Sequence, residues 1–390
     1  MRNGYKILDI DRHVMEPVSM WPAYLPAKMQ DRVPILTPLA PPGETLAQRL
    51  ARLGEHALLP SPHVFSVAGE PIMRDVSEVA YIETGLVGAS RRQLLVSAET
   101  PEGHLTQMDA AGIDVAVMLP TFAPFLVYND AIDAELSRAY AAAYNRWLRD
   151  LCAVTPARLL GAALLSRHDP ESLTDDLEEA LRMGMRAVVV RPNPVQGRTL
   201  SDPAYRRFWA ACAHHRVPVL IHEGTHTKVA TAGADRFASH FGQHACSHPL
   251  EAMMALLSLI EGGVLESNPE LRVGFLESGC GWLPYWLWRL DEIEYAQLRF
   301  EVRGRVNRPP SEYFRRQCWI TIEPGEAMLG PAVEAIGADR ILFGTDFPHL
   351  DHDPDILRTL FAPGAPMTSA QLRAALWENP ARLLGIDPMT

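Results

Sequence analysis

Two kinds of hydrophobic pattern alternate along the chain. Short, mostly apolar runs recur as YKILDID (5–11), DVAVMLP (114–120), LLGAALL (159–165) and AVVVRPN (187–193). They continue as VPVLIHE (217–223), LRVGFLE (271–277), CWITIEP (318–324) and RILFGTD (340–346). Runs that are apolar along their length are what strands buried on both faces of a parallel sheet require. Between them, apolar residues return at helical spacing over 131–152, 176–184 and 205–216. Strand and helix repeated eight times predict an α/β fold, a TIM-type (β/α)8 barrel. The open doubly wound sheet is the alternative, but neither G-x-G-x-x-G nor G-x-x-x-x-G-K follows any of the runs.

The pattern reads as one domain over 1–390 with insertions over the carboxyl-terminal mouth of the barrel. Residues about 22–103 hold too many prolines and too little strand signal for a simple strand-to-helix connection, and read as a lid-like segment. A second long loop, 224–249, leads into a helix over 250–261. A third insertion, about 292–316, is charged and ends in PPSEYFRRQ.

Composition narrows the partners. Hydrophobic residues at 47% and charged residues at 21% describe a soluble globular chain with ample core. A net charge of −11 argues against nucleic acid and anionic membrane surfaces. Neither a signal-type apolar stretch at the amino terminus nor a run long enough to span a bilayer is present. Five scattered cysteines without a C-x-x-C pair suggest reduced thiols and a cytoplasmic location. A small-molecule substrate is the expected partner.

In a barrel of this kind the active site lies at the carboxyl ends of the strands. Those ends carry Asp11 and His13, Arg191 and Asn193, His222 and Glu223, then Glu277, Glu323 and Asp346. Asp11 and His13, two apart in an extended chain, share a face. Two histidines and a rim of carboxylates match the donors that zinc, manganese or iron(II) accept. Each residue also has a plainer reading. His222 fits a core histidine, Asp346 a turn residue, Arg191 the partner of a rim carboxylate, and Asp9 a supporting group or a solvated one. As a set they point to Asp11, His13, His222 and Asp346 as ligands.

The motifs DIDRHVMEP (9–17), HLTQMDAAGIDVAVMLPT (104–121), VPVLIHEG (217–224), LRVGFLESGCGWLPYWLWRLD (271–291) and DRILFGTDFPH (339–349) together resemble the amidohydrolase-related family. The branch they resemble includes aminocarboxymuconate-semialdehyde decarboxylase and the resorcylate-type decarboxylases. The resemblance implies one divalent ion, zinc first with manganese or iron(II) as alternatives, on Asp11, His13, His222 and Asp346. With no lysine at the end of the 187–193 run, a bridge to a second metal is not expected. One departure matters: these decarboxylases place an acid/base histidine where this chain has Glu277. Glu277, His248 and Arg191 are the candidate catalytic residues, Glu277 as an acid/base group or equally as a direct metal ligand, Arg191 as a clamp on a remote carboxylate. His226, His240 and His244 are further histidines above the barrel. His349, three after Asp346, is a further rim candidate whose alternative reading is a hydrogen bond to a metal ligand from behind it. Glu16 is expected to orient the mouth loop. Trp282, Tyr285, Trp286 and Trp288 are expected to pack helix on barrel or to form a subunit contact.

The leading expectation is non-oxidative decarboxylation of a small aromatic or unsaturated carboxylic acid. Hydrolysis of an amide or lactone by a metal-activated water is the alternative. A non-catalytic metabolite-binding barrel is a remote third. The resemblance further implies a homodimer.

Overall fold

Helix boundaries follow local chemistry. Helix 101–111 begins where the Thr100 side chain accepts the Gly103 N–H, with Pro101 in the first turn. It ends at Gly112, whose φ of +77° suits a residue without Cβ. Helix 134–152 starts at Asp133, which accepts from the Leu136 N–H at 2.8 Å. Its Leu136, Tyr140, Tyr144, Trp147, Leu148 and Leu151 form the buried stripe. Asn145 locks that helix to the barrel by exchanging two 2.9 Å bonds with the Leu164 main chain.

The computed structural model describes residues 1–38, 43, 45, 47–48, 51, 63–67, 70–71, 89–223, 230–237, 240–323, 325–349 and 356–387. Its strands, in chain order, are β1 (Leu8–His13), β2 (Ile35–Pro38), β3 (His63–Val67), β4 (Glu70–Pro71), β5 (Val115–Leu119) and β6 (Leu159–Leu164). They continue with β7 (Ala187–Val190), β8 (Val219–Ile221), β9 (Val273–Phe275), β10 (Cys318–Ile322) and β11 (Ile341–Phe343). Eight of them form one sheet in the order β1-β5-β6-β7-β8-β9-β10-β11, with parallel neighbours throughout. Each predicted apolar run supplies one of these strands. The sheet closes through the residues after β11: Thr345 and Asp346 donate their N–H groups to the Asp11 carbonyl, and the His13 N–H donates to the Phe347 carbonyl. The fold is the expected α/β barrel.

Two boundaries differ from the pattern. The helix expected at 250–261 runs from His240 to Glu261 with Pro249 inside it. A proline after polar residues reads as a helix start, but here it stands inside the helix, where it removes one main-chain hydrogen bond. The charged stretch after β9 is mostly helical: 283–288 continues through a wider π-type turn at 289–295 to 298, and PSEYFRRQ forms helix 310–317 ahead of β10. Within 22–103, β2, β3 and β4 pair antiparallel as a separate small sheet. Much of the expected lid-like segment lies outside the described residues, as does His226.

Candidate metal centre

Strand β1 delivers the first two side chains. Its pairing with β5 is regular at Leu8 and Asp9, shifts between Asp9 and Arg12, and resumes at Arg12 and His13. Asp9 is not among the residues whose donor atoms cluster at the mouth. Buried, it accepts from the Thr345 N–H at 2.9 Å and the Thr345 hydroxyl at 2.6 Å, fastening β1 to the turn after β11. Burial raises its pKa to about 6 although Arg12 opposes this. Asp9 is therefore a clasp, and the solvated-rim alternative falls.

Asp11, His13, His222 and Asp346 converge at the mouth, each with one donor atom within 4.8 Å of the others'. His13 Nε2 lies 3.2 Å from Asp11 Oδ1 and 3.5 Å from Asp346 Oδ1, and His222 Nε2 lies 3.5 Å from Asp11 Oδ1. The ring orientations are set by the backbone. His13 Nδ1–H donates to the Pro120 carbonyl at 2.8 Å, and His222 Nδ1–H to the Glu223 carbonyl at 2.7 Å. Both Nε2 atoms then face inward, 2.9 Å apart. With the Nδ1 protons so placed, neutral rings bring two lone pairs together beside a buried carboxylate. Asp11 Oδ1 itself, fully buried, accepts no hydrogen bond. Only a positive charge makes that arrangement favourable.

The proton affinities say the same. Burial pushes the Asp11 carboxyl up, but His222 and His13 pull it well below the usual carboxylate range. Burial would strip a proton from His222, yet Asp11 and Glu277 hold its pKa well above the ordinary value. His13 is pushed down to about 3 by burial and then by His349. Two nitrogen and two carboxylate donors, with backbone-anchored imidazoles and no thiolate, fit a divalent ion of the zinc or manganese kind.

Glu277 stands beside the cluster. Its Oε2 is 3.0 Å from His222 Nε2, and its Oε1 is 3.6 Å from His248 Nδ1. His248 Nδ1–H donates to the Glu277 main-chain carbonyl at 2.9 Å, so the two candidate acid/base residues form one unit. Glu277 and Asp346 both have left-handed backbones, φ +46° and +48°. Non-glycine residues hold such angles only where surrounding contacts impose them, a feature that clusters at functional sites. For Glu277 one contact is the Thr321 hydroxyl, which accepts its N–H at 3.1 Å.

Arg191 is buried and ion-paired: its Nη2 lies 2.7 Å from Glu223 Oε1, and its Nε–H donates to Asn193 at 3.1 Å. The plainer reading, a partner for a rim carboxylate, thus describes its present contacts. Burial lifts Glu223 to about 7 against the pull of Arg191. Glu323, the residue after β10, is not in the donor cluster. It is exposed, while Glu326 turns inward to accept the N–H groups of Cys280 and Gly281. A Cβ on Gly281 would sit 2.8 Å from that carboxylate, which is why a glycine stands there. His244 is exposed, its ring 4.7 Å from that of His248. Glu16 is buried and accepts the N–H groups of Thr121, Phe122 and Ala123, so it does orient the mouth loop. Glu326, Thr121 and Thr321 were not singled out from sequence. Glu326 alone left a signal, as a carboxylate shortly after a predicted strand.

The family profile described as Amidohydrolase matches residues 63–386. This chain belongs to that family. It is 29% identical over 263 residues to the gamma-resorcylate decarboxylase of Rhizobium sp. (strain MTP-10005), covering 65% of this chain and 78% of that one. It is 25% identical over 250 residues to the 2-amino-3-carboxymuconate-6-semialdehyde decarboxylase of Dictyostelium discoideum, covering 64% and 66%. Among solved structures it resembles a 5-carboxyvanillate decarboxylase of Novosphingobium aromaticivorans DSM 12444, complexed with manganese and 4-hydroxy-3-methoxy-5-nitrobenzoic acid. That likeness has a TM-score of 0.71 at 20% identity and covers 99% of this chain and 97% of the other.

Proposed function

We propose that the protein is a metal-dependent decarboxylase of a small aromatic or unsaturated carboxylic acid, with Asp11, His13, His222 and Asp346 as the ligands. The observation that carries this reading is the pair of inward-facing imidazole nitrogens, 2.9 Å apart beside a buried carboxylate oxygen that accepts no hydrogen bond. The gamma-resorcylate and aminocarboxymuconate-semialdehyde relatives support the reaction class. The donor set suits zinc, and the manganese of the 5-carboxyvanillate enzyme makes that ion an equal candidate. When bound, a divalent ion supplies a Lewis acid that draws the substrate's oxygens to the mouth and polarises them.

The chain's own residues supply the proton. Glu277 in its acid form delivers it to the carbon bearing the carboxylate. The carbon–carbon bond then breaks, its electron pair stays with the ring or alkene, and carbon dioxide leaves. His248, whose Nδ1–H is bonded to the Glu277 main-chain carbonyl, anchors the backbone that carries the carboxyl. Its ring, with Nδ1 3.6 Å from Oε1, is the group placed to restore the carboxyl's proton. Arg191 serves a remote substrate carboxylate only by sharing itself with Glu223.

Metal-loaded protein incubated with hydroxybenzoates and unsaturated acids is expected to release carbon dioxide, and His222→Ala to abolish both release and tight metal binding. Release undiminished in His222→Ala would falsify the ligand assignment.

One observation favours a second reading, hydrolysis of a lactone or amide. Glu277 puts a third carboxylate at the mouth, which repels an anionic substrate and suits a general base for water. Acid production from lactones or amides, with no carbon dioxide from any acid, is the outcome that selects it.

For the whole protein we propose a homodimer in the cytoplasm. All five cysteines are free, and no described helix is long and apolar enough to cross a membrane. Leu250, Met254, Tyr285 and Trp288 are 41–56% exposed on two helices joined by the bond from Trp286 Nε1–H to the Met253 carbonyl. This half-open apolar face is a natural place for a second copy. The segment at 22–103 is proposed to cover the mouth.

A further inference from the structure

Asp346 is the ligand candidate with least help from regular structure. It lies beyond the end of β11, and its φ of +48° is one that an L residue keeps only when its surroundings insist. Its main chain is secured by its N–H to the Asp11 carbonyl at 2.9 Å and by the His349 N–H donating to its own carbonyl at 2.9 Å. Its carboxylate is met by His349, whose Nδ1 lies 2.6 Å from Oδ1. His349 is fixed in turn. Its Nε2 lies 3.1 Å from the Thr121 hydroxyl, and its ring centroid is 4.1 Å from that of His13. Thr121, just past β5, gives its N–H to buried Glu16. The tails of β1, β5 and β11 are thereby linked through one chain of bonds that ends on the Asp346 carboxylate.

The order of donors along that chain is forced by the groups themselves. An ionised carboxylate only accepts, so His349 Nδ1 carries the hydrogen. In a neutral ring Nε2 then accepts, and the Thr121 hydroxyl donates to it. Both ring nitrogens are spent. His13, Glu277, Asp346 and His349 also lie close enough together to hold an ion, so His349 has two candidate roles: ligand or brace.

We propose that His349, held by Thr121, is a positioning residue that aims the Asp346 carboxylate at the ion and is not itself a ligand. The proposal rests on the reading of Asp346 as a ligand. The outer partner of a ligating side chain fixes its orientation and basicity, and losing it costs roughly 10–100-fold in metal affinity.

The test is a titration of chelator-stripped protein with Zn2+ and Mn2+ against a chromophoric chelator, with thermal melts as a check on folding. His349→Phe keeps a ring against His13 but has no donor, and is expected to weaken binding roughly 10–100-fold. Thr121→Val keeps shape but loses the hydroxyl, and is expected to weaken it by a smaller factor. His349→Asn places an amide N–H near the former Nδ1 and is expected to recover much of the affinity, which a purely packing role would not do. Wild-type affinity in both His349→Phe and Thr121→Val, or Asn binding more weakly than Phe, overturns the proposal. Asp346→Asn separates the two levels: unchanged binding there removes the ligand reading and the brace with it. Lost binding in Asp346→Asn with normal binding in His349→Phe removes the brace alone.

Discussion

At the scale of single residues, the site is made by where protons are allowed to sit. The carbonyls of Pro120 and Glu223 take the Nδ1 protons of His13 and His222, so the inward nitrogens are left to a cation. Glu277 Oε2 is near enough to His222 Nε2, at 3.0 Å, to exchange a proton, while Oε1 is 3.6 Å from His248 Nδ1. Replacing Glu277 tests the proton-transfer role apart from metal binding. Glu277→Gln is expected to lower the turnover rate roughly 10²–10⁴-fold while the metal titration changes little. A large loss of metal affinity in that variant would instead make Glu277 a ligand. Glu16 gives a pH effect. Burial raises its pKa from 4.5 to about 7, even though three backbone N–H groups favour its charge. The folded protein therefore keeps a proton that the unfolded chain has already lost between those values. Stability contributed by this group is present below about pH 4.5 and falls as pH rises toward 7, by on the order of 3 kcal/mol. Denaturant melts across that window are expected to show a shallower fall for Glu16→Gln than for the wild type.

At the scale of elements, the ligands depend on how strands end. The shift in β1 pairing between Asp9 and Arg12 lets Asp9 clasp Thr345 while Asp11 and His13 reach the mouth. The turn after β11 must pass very close to β1, and Gly344 permits it. A Cβ there would stand 2.5 Å from the Asp11 Cβ, a separation that forces one strand to move. Gly344→Ala is accordingly expected to cost about 1–3 kcal/mol in a thermal or denaturant melt. It should also weaken metal binding, because the displaced atom belongs to Asp11. A variant with wild-type stability and affinity would show that the closure is looser than these distances imply. Helix 240–261 includes His248 just before Pro249, and from there the ring reaches the Glu277 main-chain carbonyl.

At the scale of the whole molecule, closing the sheet brings β1, β8 and β11 to one mouth, and the helices outside leave some apolar surface uncovered. If Tyr285 and Trp288 meet a second copy, as proposed, a charge placed among them must be desolvated on association. Trp288→Glu is expected to convert a sedimenting dimer to monomer, with the metal titration unchanged. Sedimentation of the wild type as a monomer at all concentrations would remove the dimer from the account.

Much of this architecture is legible in the sequence alone. The eight strands, three of the helices and the four proposed ligands depend on short-range pattern. A run buried on both faces must be apolar, a helix repeats its apolar positions every three or four residues, and carboxylates and imidazoles at strand ends advertise themselves. Tertiary contacts alone decided the rest. Glu323, just past the end of β10, is exposed and outside the donor cluster, and it is Glu326, three residues on, that the turn brings onto the N–H groups of Cys280 and Gly281. Arg191 meets Glu223 across adjacent strands, and Thr121 meets His349 from the far end of the chain. Hydrogen-bond direction, left-handed backbone at Glu277 and Asp346, and the facing of two imidazoles arise from groups distant in sequence. No local periodicity encodes them, because each exists only once the barrel has closed.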